Sequence, residues 1–103
     1  MYKTVFFLKR RSGMTPAAFR DYWIHQHLPL LEGMPGLRSG EANLVTSDGE
    51  GSVDVDIIAE FSWVSRAAFE AALVSNQGRV ALADITAHTV SHDYVVVEEH
   101  HFM

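Results

Sequence analysis

Six histidines are the residues of this chain best suited to move protons near neutral pH. Free imidazole titrates at about 6.5 and can act as acid or base under physiological conditions. The one best placed is His27, inside the segment MTPAAFRDYWIHQHLPLLEGMPGL from Met14 to Leu37. At about 100° per residue, Phe19, Trp23, Gln26, His27 and Leu30 fall within roughly a quarter-turn of one another on a helix. That puts the imidazole on an aromatic, inward-facing stripe. Two roles fit it. It is a general acid or base beside a pocket, or it is a buried histidine bonded to a carbonyl or carboxylate that holds the helix end. Phe19 and Trp23 on the stripe, with Tyr22 at its edge, suit a pocket wall for a flat or apolar ligand, a phenol or indole N–H serving as the polar handle. The same aromatic spacing is also what an ordinary core uses.

The other candidates are weaker. His25 is two residues from His27 and points to the opposite side, so the two make a poor chelating pair. His88 and His92 have i, i+4 spacing, but Val90 and Ser91 signal a strand or turn there and no third ligand is near. His100-His101 is a tail pair. There is no cysteine, hence no disulfide, no thiolate nucleophile and no thiolate metal site. No metal and no cofactor is expected. Asp54, Asp56 and Glu60 share the polar face of an alternating segment. A carboxylate closed off by a second subunit is costly unless paired, so Asp54 and Asp56 read as rim residues and Glu60 as a lesser ligand contact.

These residues have to be positioned by the elements around them. Tyr2 to Arg10 reads as a strand with Val5 and Phe7 on one face and Phe6 and Leu8 on the other, so both faces want cover. Thr15-Pro16 opens a helix, with Thr15 as N-cap, Pro16 at the first position and Met14 as a staple. Pro29 is expected to kink or end that helix near Leu28, and Gly33, Pro35 and Gly36 stop any continuation. Leu37 to Thr46 reads as a strand and Ser47 to Ser52 as a loop. Val53 to Phe61 alternates cleanly as a strand, Val53, Val55, Ile57, Ala59 and Phe61 facing one way. Ser65 caps a helix running to about Ser75, Asn76-Gln77-Gly78 interrupts, Val80 to His88 is a shorter helix, and Thr89 to Glu99 is the last strand. Strand, helix, strand, strand, helix, strand is the split β-α-β pattern of an α+β, ferredoxin-like fold: a four-stranded antiparallel sheet with helices on one face.

At 103 residues the chain reads as a single domain spanning 1–103. Its apolar share is 48%, high for a chain so short, which points to a second subunit covering part of it. Eight basic against thirteen acidic residues, a formal charge of -5, argue against nucleic acid, and no polybasic run suggests a membrane surface. No apolar run reaches the 18 or so residues of a membrane span, and no signal-peptide pattern opens the chain. A cytoplasmic protein is expected.

Met14, Thr15, Pro16, Phe19, Tyr22, Trp23, His27, Pro29, Pro35, Gly36 and Leu37 together resemble the EthD-like branch of the dimeric α/β-barrel superfamily. Glu60-Phe61, the Ser65-capped Ala-rich helix, Ala83-Asp84 and the closing Val96 to Glu99 extend the resemblance over nearly the whole chain. It implies a ferredoxin-like monomer that pairs with a second copy into a barrel. It also implies a pocket for a small apolar or aromatic metabolite. The superfamily includes cofactor-free monooxygenases, isomerases, cyclases or dehydratases and haem-degrading enzymes, so a cofactor-free enzyme and a non-catalytic accessory to an oxygenase both stay open. Asp84 is the acid that matches the family. It either orients His27, as a carboxylate orients a catalytic imidazole, or braces the turn before the last strand.

Overall fold

The structure, a computed structural model, describes residues 1–46, 49–51 and 53–103. Strand β1 (Tyr2–Arg10) is central and pairs antiparallel with β3 (Ile57–Trp63) on one side and β4 (Thr89–Val97) on the other, while β2 (Leu37–Leu44) adds to β3. The sheet order is β2-β3-β1-β4, the ferredoxin-like arrangement. Helices α1 (Pro16–Tyr22), α2 (Arg66–Val74) and α3 (Asn76–His88) lie on one face. That face carries Thr4, Phe6 and Leu8 of β1 with Ile57, Ala59 and Trp63 of β3, a period-two choice that leaves Val5 and Phe7 on the open face.

The helix caps form as expected. Thr15 Oγ1 accepts from the Ala18 amide at 3.1 Å and Ser65 Oγ from the Ala68 amide at 3.1 Å. The segment after α1 departs from the expected single α-helix. Trp23–His27 is wound as a π-helix and Leu28–Leu31 as a 3-10 turn. The cause is Pro29. It has no N–H for the carbonyl four residues back, and its ring crowds that carbonyl. The chain widens instead, and the Leu28 amide reaches back five residues to the Trp23 carbonyl. The altered winding turns Gln26 out to solvent, where the 100° phase put it on the buried stripe, and buries Tyr22, which that phase put at the edge.

Four strand boundaries also shift. β3 starts at Ile57 rather than Val53 and runs on to Trp63. Past Leu8–Ile57 the ladder ends because the Arg10 amide goes to the Asp56 carboxylate at 2.9 Å, which the Arg10 guanidinium also meets at 2.5 Å. β2 and β4 stop at Leu44 and Val97, short of Thr46 and Glu99. Of the expected Ser47–Ser52 loop, Ser47, Asp48 and Ser52 lie outside the described residues.

Asn76-Gln77-Gly78 does not interrupt a helix but begins α3. Ser75 ends α2 and caps α3 in one residue: its hydroxyl donates to the Ala72 carbonyl at 2.7 Å and accepts from the Gly78 amide at 3.0 Å. The tight joint needs glycine, since a Cβ at Gly78 would lie 1.8 Å from the Ala72 carbonyl oxygen. Gly78→Ala is therefore expected to destabilise by about 1–3 kcal/mol as α2 and α3 move apart. In a domain of this size that lowers Tm by about 4–8 °C per kcal/mol, and thermal unfolding followed by circular dichroism measures it. An unchanged Tm would mean that the joint opens at no cost.

Candidate active site

The π-helical turn decides which side chains meet. On an unbroken α-helix Tyr22 and His27, five residues apart, would point about 140° away from each other. Winding at five residues per hydrogen bond brings them to one side, where both reach Asp84 on α3. Asp84 Oδ2 accepts the Tyr22 hydroxyl at 2.5 Å and His27 Nδ1–H at 2.9 Å. His88, one turn further along α3, donates Nδ1–H to the Asp84 carbonyl at 2.7 Å and stacks on the Tyr22 ring with centroids 3.8 Å apart. The Trp23 ring lies 6.3 Å from that of His27 at 25°.

Environment sets the protonation states. Burial pushes the His27 pKa below its ordinary value and outweighs the attraction of Asp84, so the pair is a carboxylate hydrogen-bonded to a neutral imidazole rather than an ion pair. Burial also pushes the Asp84 carboxyl upward, but the hydrogen bonds from Tyr22 and His27 together hold it below the usual carboxylate range. The Tyr22 hydroxyl is pushed up by burial and by Asp84, so it stays a phenol. A carboxylate only accepts, which fixes the neutral His27 tautomer: Nδ1 carries the hydrogen and Nε2 the lone pair. Nε2 has no protein partner among the described residues, and no fully buried side-chain nitrogen or oxygen among them lacks one. Nε2 therefore keeps open surface.

His27 lines a cavity of ≈ 100 Å³. It lies at the seam of two core clusters, with Trp23 and Ile85 contributed by one and Trp63 and Phe69 by the other. Leu73 and Leu82, both exposed, stand at its edge. Its lining is apolar except for the two indole nitrogens and two imidazoles, those of His27 and His92. Sequence spacing weighs His92 only as half of a metal pair. Its strand phase, two residues before Tyr94 and opposite Leu8, is the signal that places it on the helix-bearing face.

The remaining sequence candidates sit elsewhere. Phe19 is fully buried in the core and, like Tyr22, does not line the cavity. Trp23 does. Glu60 is on the open sheet face, 2.9 Å from Lys3 Nζ and 2.8 Å from Asn43 Nδ2, and these two partners hold its carboxyl below the usual range. His25 is exposed, 3.5 Å from Asp21. Among the described residues no three metal-binding side chains cluster, and no helix is long and apolar enough to cross a membrane.

The site makes stability depend on pH. Both His27 and Asp84 have folded pKa values below their free values of 6.5 and 3.8. Each group thus binds protons more readily when the chain is unfolded, and stability falls as pH falls. The His27 contribution is complete above about pH 6.5 and is lost below it. The Asp84 contribution is complete above about pH 3.8 and is lost only below that. Urea midpoints between pH 8 and pH 3 are expected to decline in two steps, with the upper step absent in His27→Gln.

Fold and site together define a ferredoxin-like α+β protein with a carboxylate-held histidine facing a small apolar cavity. A family model described as the EthD domain matches residues 11–95, and the chain belongs to the EthD family. A search of curated proteins finds no match. Among solved structures, an ethyl tert-butyl ether D (EthD) family protein of Bacillus halodurans is similar at 18% identity and TM-score 0.81, over 97% of this chain and 100% of that one. A dimeric protein of ferredoxin-like fold from Bacteroides fragilis is similar at 14% identity and TM-score 0.72, over 95% of both chains. SnoaB, a cofactor-independent oxygenase from Streptomyces nogalater, is similar at 15% identity and TM-score 0.70, over 99% of this chain and 95% of that one. At these identities the likeness is one of fold.

Proposed function

We propose that this protein is an enzyme that moves a proton on a small apolar or aromatic metabolite held in the cavity, with His27 as acid and base. One observation carries the reading. A neutral imidazole, its Nδ1 fixed by Asp84 and its Nε2 without a partner among the described residues, lines a cavity otherwise almost wholly apolar. Such a base needs no cofactor to take a proton from an acidic C–H or O–H, the first step open to isomerisation, cyclisation, dehydration or oxygenation. The fold shared with a cofactor-independent oxygenase is in keeping with the last of these. Asp84 orients the imidazole, Tyr22 steadies Asp84 and Trp23 forms a wall, while Phe19 and Glu60 act at a distance as packing and rim residues.

The lining contains no hydroxyl, thiol or carboxylate side chain, and that observation favours a second reading, a protein that binds a metabolite without altering it. Hydrogen–deuterium exchange separates the two. In D2O a benzyl ketone such as phenylacetone is expected to lose its α-protons faster with the protein than in buffer, read by proton NMR. Binding of the ketone without accelerated exchange would overturn the enzymatic reading in favour of the binding protein.

We also propose a homodimer formed through the open sheet face. Val5, Phe7 and Ile58 are only half-buried there and Val95 is exposed, and a structurally similar protein is dimeric. Two lysines of that face are paired within the chain, Lys3 with Glu60 and Lys9 with Asp54 at 2.7 Å, which lowers the cost of covering them, while Glu41 and Asp93 on the same face are exposed and belong at the rim of such an interface. Light scattering at micromolar concentration is expected to give twice the chain mass of 11.5 kDa. A mass of one chain would rule the dimer out.

A further inference from the structure

The cavity receives a second imidazole that the proton-transfer reading does not use. His92 sits on β4 opposite Leu8, on the face that carries the helices, and lines the cavity with His27. Its Nε2 lies 3.2 Å from Thr86 Oγ1 on α3. Helix α3 covers the cavity with Ala81 and Ile85, both buried. Asp84 and Thr86 flank Ile85 in sequence and leave the helix about 200° apart. One side of α3 thus holds His27 through Asp84, and the other holds His92 through Thr86. When the Thr86 hydroxyl donates to Nε2, His92 Nδ1 carries the hydrogen. Nδ1 has no protein partner among the described residues and is not among fully buried orphans, so it too keeps open surface.

The two rings offer opposite chemistry. His27 Nε2 presents a lone pair, and in the tautomer in which the Thr86 hydroxyl donates to Nε2, His92 Nδ1–H presents a donor. A few polar groups in an apolar pocket fix the orientation of what binds there. The volume of ≈ 100 Å³ is smaller than the apolar cavity, about 150 Å³, that accepts benzene, and the cavity is partly open beside the exposed Leu73 and Leu82, so a single ring fits with part of it outside. We propose that His92, seated by Thr86, is the second polar anchor of this site. The ligand class is then a single apolar ring with a proton donor at one end for His27 and an oxygen acceptor at the other for His92. The inference rests on the cavity assigned above to the metabolite, but not on turnover.

Phenol and 4-hydroxyacetophenone are the probes, titrated calorimetrically into the full chain. Both carry the hydroxyl for His27, and only the second carries a carbonyl across the ring. The wild type is expected to bind 4-hydroxyacetophenone about tenfold more tightly than phenol, the worth of one hydrogen bond. His92→Leu is expected to erase that preference by weakening 4-hydroxyacetophenone about tenfold relative to phenol. Thr86→Val changes an exposed residue, so it folds even if His92→Leu does not, and it is expected to reduce the preference. In the wild type the His92 ring nitrogens are expected to shift with 4-hydroxyacetophenone and not with phenol, read by 15N NMR. Equal loss of affinity for both probes in His92→Leu overturns the anchor in favour of packing. An unchanged preference in both variants, or no binding of either probe, overturns it as well. Because no reaction is followed, failure here is distinct from absent exchange of phenylacetone protons, which bears on His27 as a base.

Discussion

His27→Gln is expected to slow deuterium exchange of a bound benzyl ketone by about 10²–10⁴-fold, the contribution of a positioned general base. Glutamine is chosen because its amide can still donate to Asp84, so α3 stays tied to the π-helical turn while the titrating nitrogen is lost. Wild-type exchange should rise with pH through a His27 pKa lying below 6.5 and then stay level across neutral pH, because the neutral ring is the active form. The Tyr22 hydroxyl, held far up by burial and by Asp84, adds no second limb in that range. The variant should show neither the rate nor the rise. A folded His27→Gln protein that exchanges protons at the full rate would remove His27 from the mechanism. The pH profile adds a distinction that rate alone lacks, since a packing defect lowers the rate at every pH without flattening its shape.

Much of this architecture is legible in the chain because it depends on local chemistry. Thr15 and Ser65 cap helices wherever they stand before an apolar run, and the alternation in Tyr2 to Arg10 fixes a strand whatever it pairs with. The site is less legible because it depends on winding and register. A 100° phase carries His27 inward correctly but separates it from Tyr22. The π-helical turn that unites them comes from steric conflict at Pro29 together with the pull of a carboxylate 57 residues away in sequence. Gly78 misleads in the same manner. As a residue type it signals a break, and only its approach to the Ala72 carbonyl shows why a helix keeps it. His92 needs the pairing of β4 with β1 before its side is known. Glu60 shows the converse. Its strand face is readable, but which face the helices cover is a tertiary fact, and they cover the other one.

Asp84→Ala is expected to cost about 2–4 kcal/mol of stability, a large share of the 5–15 kcal/mol typical of a domain. One oxygen, Oδ2, accepts both the Tyr22 hydroxyl and His27 Nδ1–H, and these two residues are only 3% and 7% exposed. Truncation orphans two donors at once, and each orphaned donor costs about 1–3 kcal/mol. Two features keep the sum below the maximum. The Tyr22 hydroxyl retains the Asp84 backbone carbonyl at 3.2 Å, and the Asp84 side chain is 26% exposed, so water can follow it in. Urea unfolding at constant m-value measures the loss, and a change under 1 kcal/mol would mean that the triad does not brace the fold. Asp84→Asn separates brace from chemistry. The amide keeps the size, and its oxygen at the Oδ2 position still accepts from Tyr22 and His27, so most stability should return, but the negative charge that steadies His27 as it takes up a proton is lost. The imidazole is then a weaker base, and exchange should fall toward that of His27→Gln. Stability near wild type with exchange near background is the combination that a purely structural carboxylate does not produce.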